Sequence, residues 1–228
     1  MPRMIFFGHA AVGIISDQAT FLIDPYLTGN PKASVKPEDI SADFIVVTHA
    51  HGDHLGDAIG IAKRCKATLV ANFEIATYAA KQGVEICPMH IGGAVYFPFG
   101  RIKLTPALHG STMEINGQPV TLGIAAGVVI SIENKHFYHA GDTGLFGDMR
   151  LIGEDAPLDL AMLPIGDRFT MGVKDAVKAA QLLQPKLAVP MHYSTFPQIE
   201  ADPKEFVNQC HAAGVRALVV QPNRSIEY

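Results

Sequence analysis

The stretch THAHGDHLGD, Thr48–Asp57, follows the apolar run FIVV, Phe44–Val47, and crowds three histidines and an aspartate into the six positions from His49 to His54. The apolar run reads as a buried strand, so the polar cluster falls on the loop at its end, where a rigid scaffold presents functional groups. Side chains two apart in an extended segment point the same way, so His49 and His51 can offer two imidazoles to one cation. Asp53 and His54 fall where the chain turns into a helix beginning near Asp57, aimed at a second cation beside the first, with Gly52 permitting the bend. Neutral imidazole and carboxylate suit zinc and also serve manganese or iron, whereas an all-oxygen calcium site would not use three histidines.

Further along the chain, other metal-competent residues follow other apolar runs. His109 comes soon after RIKLTPAL, Asp142 follows FYHAG, and His192 follows LAVPM. Strands are expected at Met4–Phe7, Ala11–Ile15, Thr20–Ile23, Phe44–Val47, Thr68–Ala71, Ala94–Phe97, Arg101–Pro106, Leu122–Ile132, His136–His139, Leu160–Leu163, Leu187–Val189 and Ala217–Val220. Helices are expected at Asp57–Lys63, Phe73–Gln82, Val173–Leu183 and Pro203–Ala213, where apolar residues recur at three- and four-residue spacing, with Gly214 as a stop after the last. Early hairpins followed by alternating strand and helix predict sheets covered by helices, an α/β or α+β layered fold. His90, His136 and His211 lie in turn-like or helical surroundings and read as surface or structural. His139 reads either as a support for the cluster or as a satisfied core histidine.

Composition narrows the class. The chain has 228 residues, 48% hydrophobic and 18% charged, enough to bury a substantial core, and one domain spanning residues 1–228 is the expectation. A net charge of −4 with no long basic run lacks the footprint of a protein that tracks long nucleic acid, which leaves small substrates. Cys65, Cys87 and Cys210 are odd in number and form no CxxC pair, as in a reducing compartment. The start, MPRMIFFGHAAVGIISD, is interrupted by Gly8 and His9 and reads as a strand rather than a signal peptide. The longest apolar segment, Val120–Ile132, is too short for a bilayer, which needs roughly 20 apolar residues. A cytoplasmic protein without a membrane segment is expected, and self-association as a homo-oligomer stays open.

These residues together resemble the metallo-β-lactamase superfamily. THAHGDHLGD matches its His-x-His-x-Asp-His signature, and ALHGS, HAGDTG and PMHYS match its later single ligands. More narrowly, GHAAVGI, LIDPYLTGNP, HAGDTGLFGDM, LPIGDRFTMG and PMHYSTFP resemble the UPF0173 group of metal-dependent hydrolases, related to the ascorbate-6-phosphate lactonases, and the likeness runs nearly end to end. The resemblance implies a four-layer αββα sandwich with two divalent metal ions at one edge, zinc first, manganese or iron as alternatives. It implies His49, His51 and His109 on one metal, Asp53, His54 and His192 on the other, and Asp142 bridging. Asp24 in FLIDP would support the ligand loop, although on local signals it reads equally well as a turn-forming Asp before Pro25.

Two metals about 3.5 to 4 Å apart lower the pKa of a trapped water and hold the leaving oxygen. The implied reaction is therefore hydrolysis by a bridging hydroxide, with Asp53 binding metal and helping to move a proton. Exported β-lactamases, thioesterases with a helical glutathione domain and RNA-processing branches with inserted domains fit this chain poorly, which leaves a phosphodiester, lactone or related ester of a small molecule. Arg168, Phe169 and Thr170 are the expected substrate contacts, Arg being suited to phosphate or carboxylate. The chain has Asp167-Arg168 where similar members often have Gly-His. His9 is expected as a further polar contact to substrate, and Tyr193 and Ser111 as pocket lining. The competing reading is a non-catalytic metal-binding regulatory or interaction module on the same fold; the complete ligand set favours the enzyme.

Overall fold

The computed structural model describes residues 1–228. The first half runs β1 (Arg3–Gly8), β2 (Ala11–Ile15), β3 (Thr20–Ile23), β4 (Phe44–Val46), α1 (Gly52–Leu55), α2 (Ala58–Cys65), β5 (Thr68–Asn72), α3 (Phe73–Ala80) and β6 (Ile86–Met89). It continues through β7 (Ala94–Phe97), β8 (Gly100–Pro106), β9 (Thr112–Ile115), β10 (Gln118–Thr121), β11 (Ala126–Ile132) and β12 (Lys135–His139). The rest is α4 (Met149–Asp155), β13 (Leu160–Pro164), α5 (Val173–Leu183), β14 (Ala188–Met191), α6 (Pro203–Ala212) and β15 (Arg224–Glu227).

One sheet has the order β15-β1-β2-β3-β4-β5-β6 and the other β14-β13-β12-β11-β8-β7, with β9 and β10 forming a separate hairpin. Each sheet is antiparallel where hairpins connect it and parallel from β3 to β6 and from β12 to β14. Burial explains the pattern. Phe21, Ile23, Val46 and Val70 pack between the sheets, whereas their neighbours Leu22, Ile45, Leu69 and Ala71 pack under Ile61 of α2 and Ile75 of α3. Strands buried on both faces read as continuous apolar runs, which is why FIVV and TLVA stand out. Helix α5 lies against β13 with Ala176, Ala179, Ala180 and Leu183 buried. The layers are thus helices, sheet, sheet, helices, the αββα sandwich expected.

Helix boundaries follow their caps. The Asn72 side chain accepts from Ile75 N–H at the start of α3, and Asp202 accepts from Lys204 N–H ahead of Pro203 in α6. Several expectations need correction. The run from Leu122 enters a strand only at Ala126: Gly123 has φ 69, and Asn72 Nδ2 donates to the carbonyls of Leu122 and Ile124, holding this stretch as a loop. Ala217–Val220 is no strand and makes a single bridge, Ala217 to Ala188. Pro190 stands inside β14, which tolerates it because that strand is the sheet edge. No helix is long and apolar enough to cross a membrane.

Candidate metal centre

Strand ends assemble the site. His49 lies three residues beyond β4, His109 three beyond β8 and Asp142 three beyond β12, while Asp24 and His192 directly follow β3 and β14. His49 Nε2 stands 3.0 Å from His51 Nδ1, and His51 Nδ1 stands 3.2 Å from His109 Nε2. These three histidines form one group able to hold a cation, and Asp53, His54 and His192, joined by His9, form another. Asp142 lies between them. Its Oδ2 is 3.5 Å from His109 Nε2, 4.0 Å from His49 Nε2 and 3.1 Å from His192 Nε2, while its Oδ1 is 3.3 Å from His54 Nε2. The seven residues singled out in the sequence therefore meet in one place.

The loop is built to hold this geometry. His51 precedes the one-turn helix α1, whose backbone directs Asp53 and His54 into the cluster. Gly56 ends α1 at φ 41, where a Cβ would lie 2.6 Å from the Pro25 carbonyl oxygen and 2.7 Å from Tyr26 Cα. Gly52, expected to permit the bend, faces open space and has no left-handed backbone, so Gly56 is the glycine the loop requires. Asp57, the last residue of the motif, accepts from Leu27 N–H, Thr28 N–H and the Thr28 hydroxyl, clamping the loop after β3 to the metal loop.

Asp24 is fully buried and accepts from Thr48 N–H at 2.8 Å, from the Thr48 hydroxyl at 2.6 Å and from His54 Nδ1 at 2.8 Å. With Nδ1 engaged by the Asp24 carboxylate, Nε2 is the His54 nitrogen left to meet a cation, and it faces Asp142. Burial pushes the Asp24 carboxyl up, yet His54 beside it, together with His139 and His49, holds the carboxyl below its usual range. Burial lowers His49, His51 and His109, keeping their imidazoles neutral with free lone pairs. Burial also opposes charge on His54, but Asp142 and Asp24 together raise its pKa well above the usual value. A divalent cation competes for that same negative field.

The buried atoms without hydrogen-bond partners test whether a cation fits. Four of the eight such side-chain atoms in the molecule belong here: His54 Nε2, His192 Nδ1, His192 Nε2 and Asp142 Oδ1. A buried orphan costs about 1–3 kcal/mol, which coordination would offset. The donor set, imidazole nitrogens with carboxylate oxygens, suits zinc and its neighbours.

His51, Asp53, His109, Asp142, Phe169 and His192 line a cavity of about 250 Å³. Larger hollows lie elsewhere, one of about 500 Å³ bounded by Phe97–Arg101 and Ser131–Asn134, but none of its residues belongs to a metal-capable group. Phe169 borders the mouth, half exposed, with the Arg168 guanidinium 5.6 Å over its ring. Thr170, next along, is partly buried and donates its hydroxyl to the Met171 carbonyl. His9 is enclosed, not on the cavity wall, and burial lowers its pKa to about 4. Ser111 is buried and braces the metal loop instead of lining the cavity, donating to the Leu122 carbonyl and accepting from Ala50 N–H. Tyr193 is half-buried against the core, and burial raises its pKa to about 12.

His139 proves a satisfied core histidine: its Nδ1 accepts from Gly141 N–H, so Nε2–H donates to the Ala10 carbonyl. Sequence reasoning missed three threonines. Thr48 anchors Asp24, Thr195 meets His9 Nδ1 at 3.0 Å, and the Thr143 hydroxyl accepts from Leu108 N–H beside His109. Only Thr48 carried a signal, its place at the head of the motif.

Comparison with known proteins places this arrangement in a family. Residues 19–193 match the Beta-lactamase superfamily domain. The chain is 50% identical to a UPF0173 metal-dependent hydrolase of Listeria welshimeri and 48% identical to one of Anoxybacillus flavithermus, each over 99% of both chains. Among solved structures it is similar to Igni18, a metallo hydrolase of the archaeon Ignicoccus hospitalis, at 37% identity and a TM-score of 0.91, covering 100% of this chain and 99% of that one. A strand-end cluster of histidines and aspartates between two facing sheets, matched over essentially its whole length by these relatives, makes this chain a member of the metallo-β-lactamase superfamily and, within it, of the UPF0173 metal-dependent hydrolases.

Proposed function

We propose that residues 1–228 act as one hydrolase unit whose centre takes two divalent cations, zinc first, and cleaves a phosphodiester, lactone or related ester of a small molecule. One observation carries this reading: two groups of three candidate ligands, His49, His51 and His109 and then Asp53, His54 and His192, share the single carboxylate of Asp142. Such a pair supplies an activated water at neutral pH and Lewis-acid stabilisation of charge on the leaving oxygen.

This chain's own groups do the rest. Asp24 fixes the orientation of His54 through Nδ1, and Thr48 fixes Asp24. Asp53, its side chain 30% exposed at the cavity, is the carboxylate placed to take up a proton during turnover. The Phe169 ring excludes water on one side of the substrate and favours an apolar substituent. Arg168 stands at the rim, where an anionic group could meet its guanidinium, and Thr170 is the second rim contact. A cavity of about 250 Å³ favours a small substrate over a polymer. Three free cysteines agree with a cytoplasmic setting.

The test is metal analysis followed by a screen of activated phosphodiesters, lactones and thioesters. Zinc or manganese should approach two per chain, and His51→Ala or Asp142→Ala should abolish hydrolysis while the circular dichroism spectrum is kept. Full activity in either variant contradicts the proposal.

A further inference from the structure

The turn between β1 and β2 presses His9 against the cluster from behind. His9 has a left-handed backbone, φ 59, uncommon for a residue with a side chain. Its carbonyl accepts the backbone N–H of His192 at 2.7 Å, tying a turn of the first sheet to the last loop of the second. The imidazole is walled in by Tyr26, Phe196, His54 and His192, with its ring centre 4.0 Å from that of His192. Nδ1 lies 3.0 Å from Thr195 Oγ1 and Nε2 lies 3.1 Å from Asp53 Oδ2. Of the carboxylates, His9 approaches Asp53 alone, whereas His54 and His192 both reach Asp142.

Hydrogen-bond chemistry orders this chain of contacts. A neutral imidazole carries one N–H, and an ionised carboxylate only accepts. The proton facing Asp53 therefore belongs on Nε2, and the bare Nδ1 accepts from the Thr195 hydroxyl. We propose that His9 is a positioning residue: Thr195 fixes its Nε2–H tautomer, and that N–H holds Asp53 with its carboxylate turned towards His54 and His192 as a ligand of the second cation. This rests on the two-cation reading above. Asp53 needs such a hold, because its partly exposed side chain has no other hydrogen bond in the protein. Carboxylate ligands are held in this way by their own partners, and loss of the partner weakens metal binding.

Zinc binding by the wild type, His9→Ala, His9→Gln and Thr195→Val, followed by equilibrium dialysis, tests the proposal together with ¹⁵N shifts of the His9 ring in metal-free and zinc-loaded wild-type protein. His9→Ala should keep one cation at wild-type affinity and bind the second roughly ten- to a hundred-fold more weakly. His9→Gln, whose amide N–H reaches where Nε2–H does, should recover most of that loss, and Thr195→Val should fall between. The ring should carry its proton on Nε2 in both states. Wild-type affinity for both cations in His9→Ala overturns the proposal, as does failure of Gln to rescue. A proton on Nδ1 also overturns it and makes His9 a further ligand through Nε2. The tautomer in the metal-free protein is read with no cation present, so uptake of a single cation by the wild type refutes the two-cation reading while that tautomer still decides whether His9 donates to Asp53.

Discussion

His9 and His139 are both buried imidazoles that the fold keeps neutral, and this has a consequence for acid stability. Burial, the main cause for each, lowers His9 from 6.5 to about 4 and lowers His139 as well. The unfolded chain binds their protons more readily, so below pH 6.5 it carries more protons than the folded one. The contribution of these residues is therefore present above pH 6.5 and lost as pH falls towards the folded value. His9 alone accounts for about 3 kcal/mol across that window. His54 acts in the opposite sense: raised in the folded state, its contribution is present below 6.5 and fades as pH climbs through the folded value. Urea midpoints of the metal-free protein should drop steadily from pH 6.5 to about 4; a flat profile there contradicts the assignment of neutral His9 and His139.

At the level of elements, the metal loop depends on how α1 ends. A Cβ at Gly56 meets the backbone of Pro25 and Tyr26, and the left-handed φ adds strain, so Gly56→Ala should cost roughly 2 to 4 kcal/mol and loosen His54 from Asp24. Gly52→Ala, four residues earlier in open space, should change stability by less than about 0.5 kcal/mol. Paired denaturation curves distinguish them, and equal effects would mean that the close approach to Pro25 is not what selects glycine. Elements with both faces buried were legible from their apolar runs, as in β3, β4 and β5. The hairpin of β9 and β10 was not, because its residues are mostly partly exposed or exposed and it joins neither sheet. Its one sequence signal was Asn116-Gly117, both left-handed in the turn. Helix α4 was hidden by Gly153, which breaks the helical pattern but is needed where a Cβ would lie 2.2 Å from the Leu183 carbonyl oxygen.

For the whole molecule, the candidate ligands divide between the two sheets. His49, His51, Asp53 and His54 follow β4 of the first sheet, and His109, Asp142 and His192 follow strands of the second. A bound cation therefore cross-links the two halves of the sandwich and should stabilise the fold as a whole. Free zinc at about a hundred times its dissociation constant adds about 2.7 kcal/mol by mass action. The thermal midpoint should rise with zinc and fall on chelation; a midpoint indifferent to both contradicts a site shared between sheets.

The sequence by itself determined the strand-loop character of THAHGDHLGD and the kind of chemistry its side chains serve, because strand burial and side-chain alternation are local properties of neighbouring residues. The ends of later apolar runs likewise picked out His109, Asp142 and His192, and resemblance added the αββα sandwich and the grouping of these residues around two cations. Only the tertiary structure decided that Gly56 rather than Gly52 shapes the loop, that Ser111 braces instead of lining the cavity, and that His9 sits behind Asp53 with Thr195 at its back. Those contacts join residues far apart in the chain, up to 186 positions for His9 and Thr195, and they exist only once the two sheets have buried their shared faces.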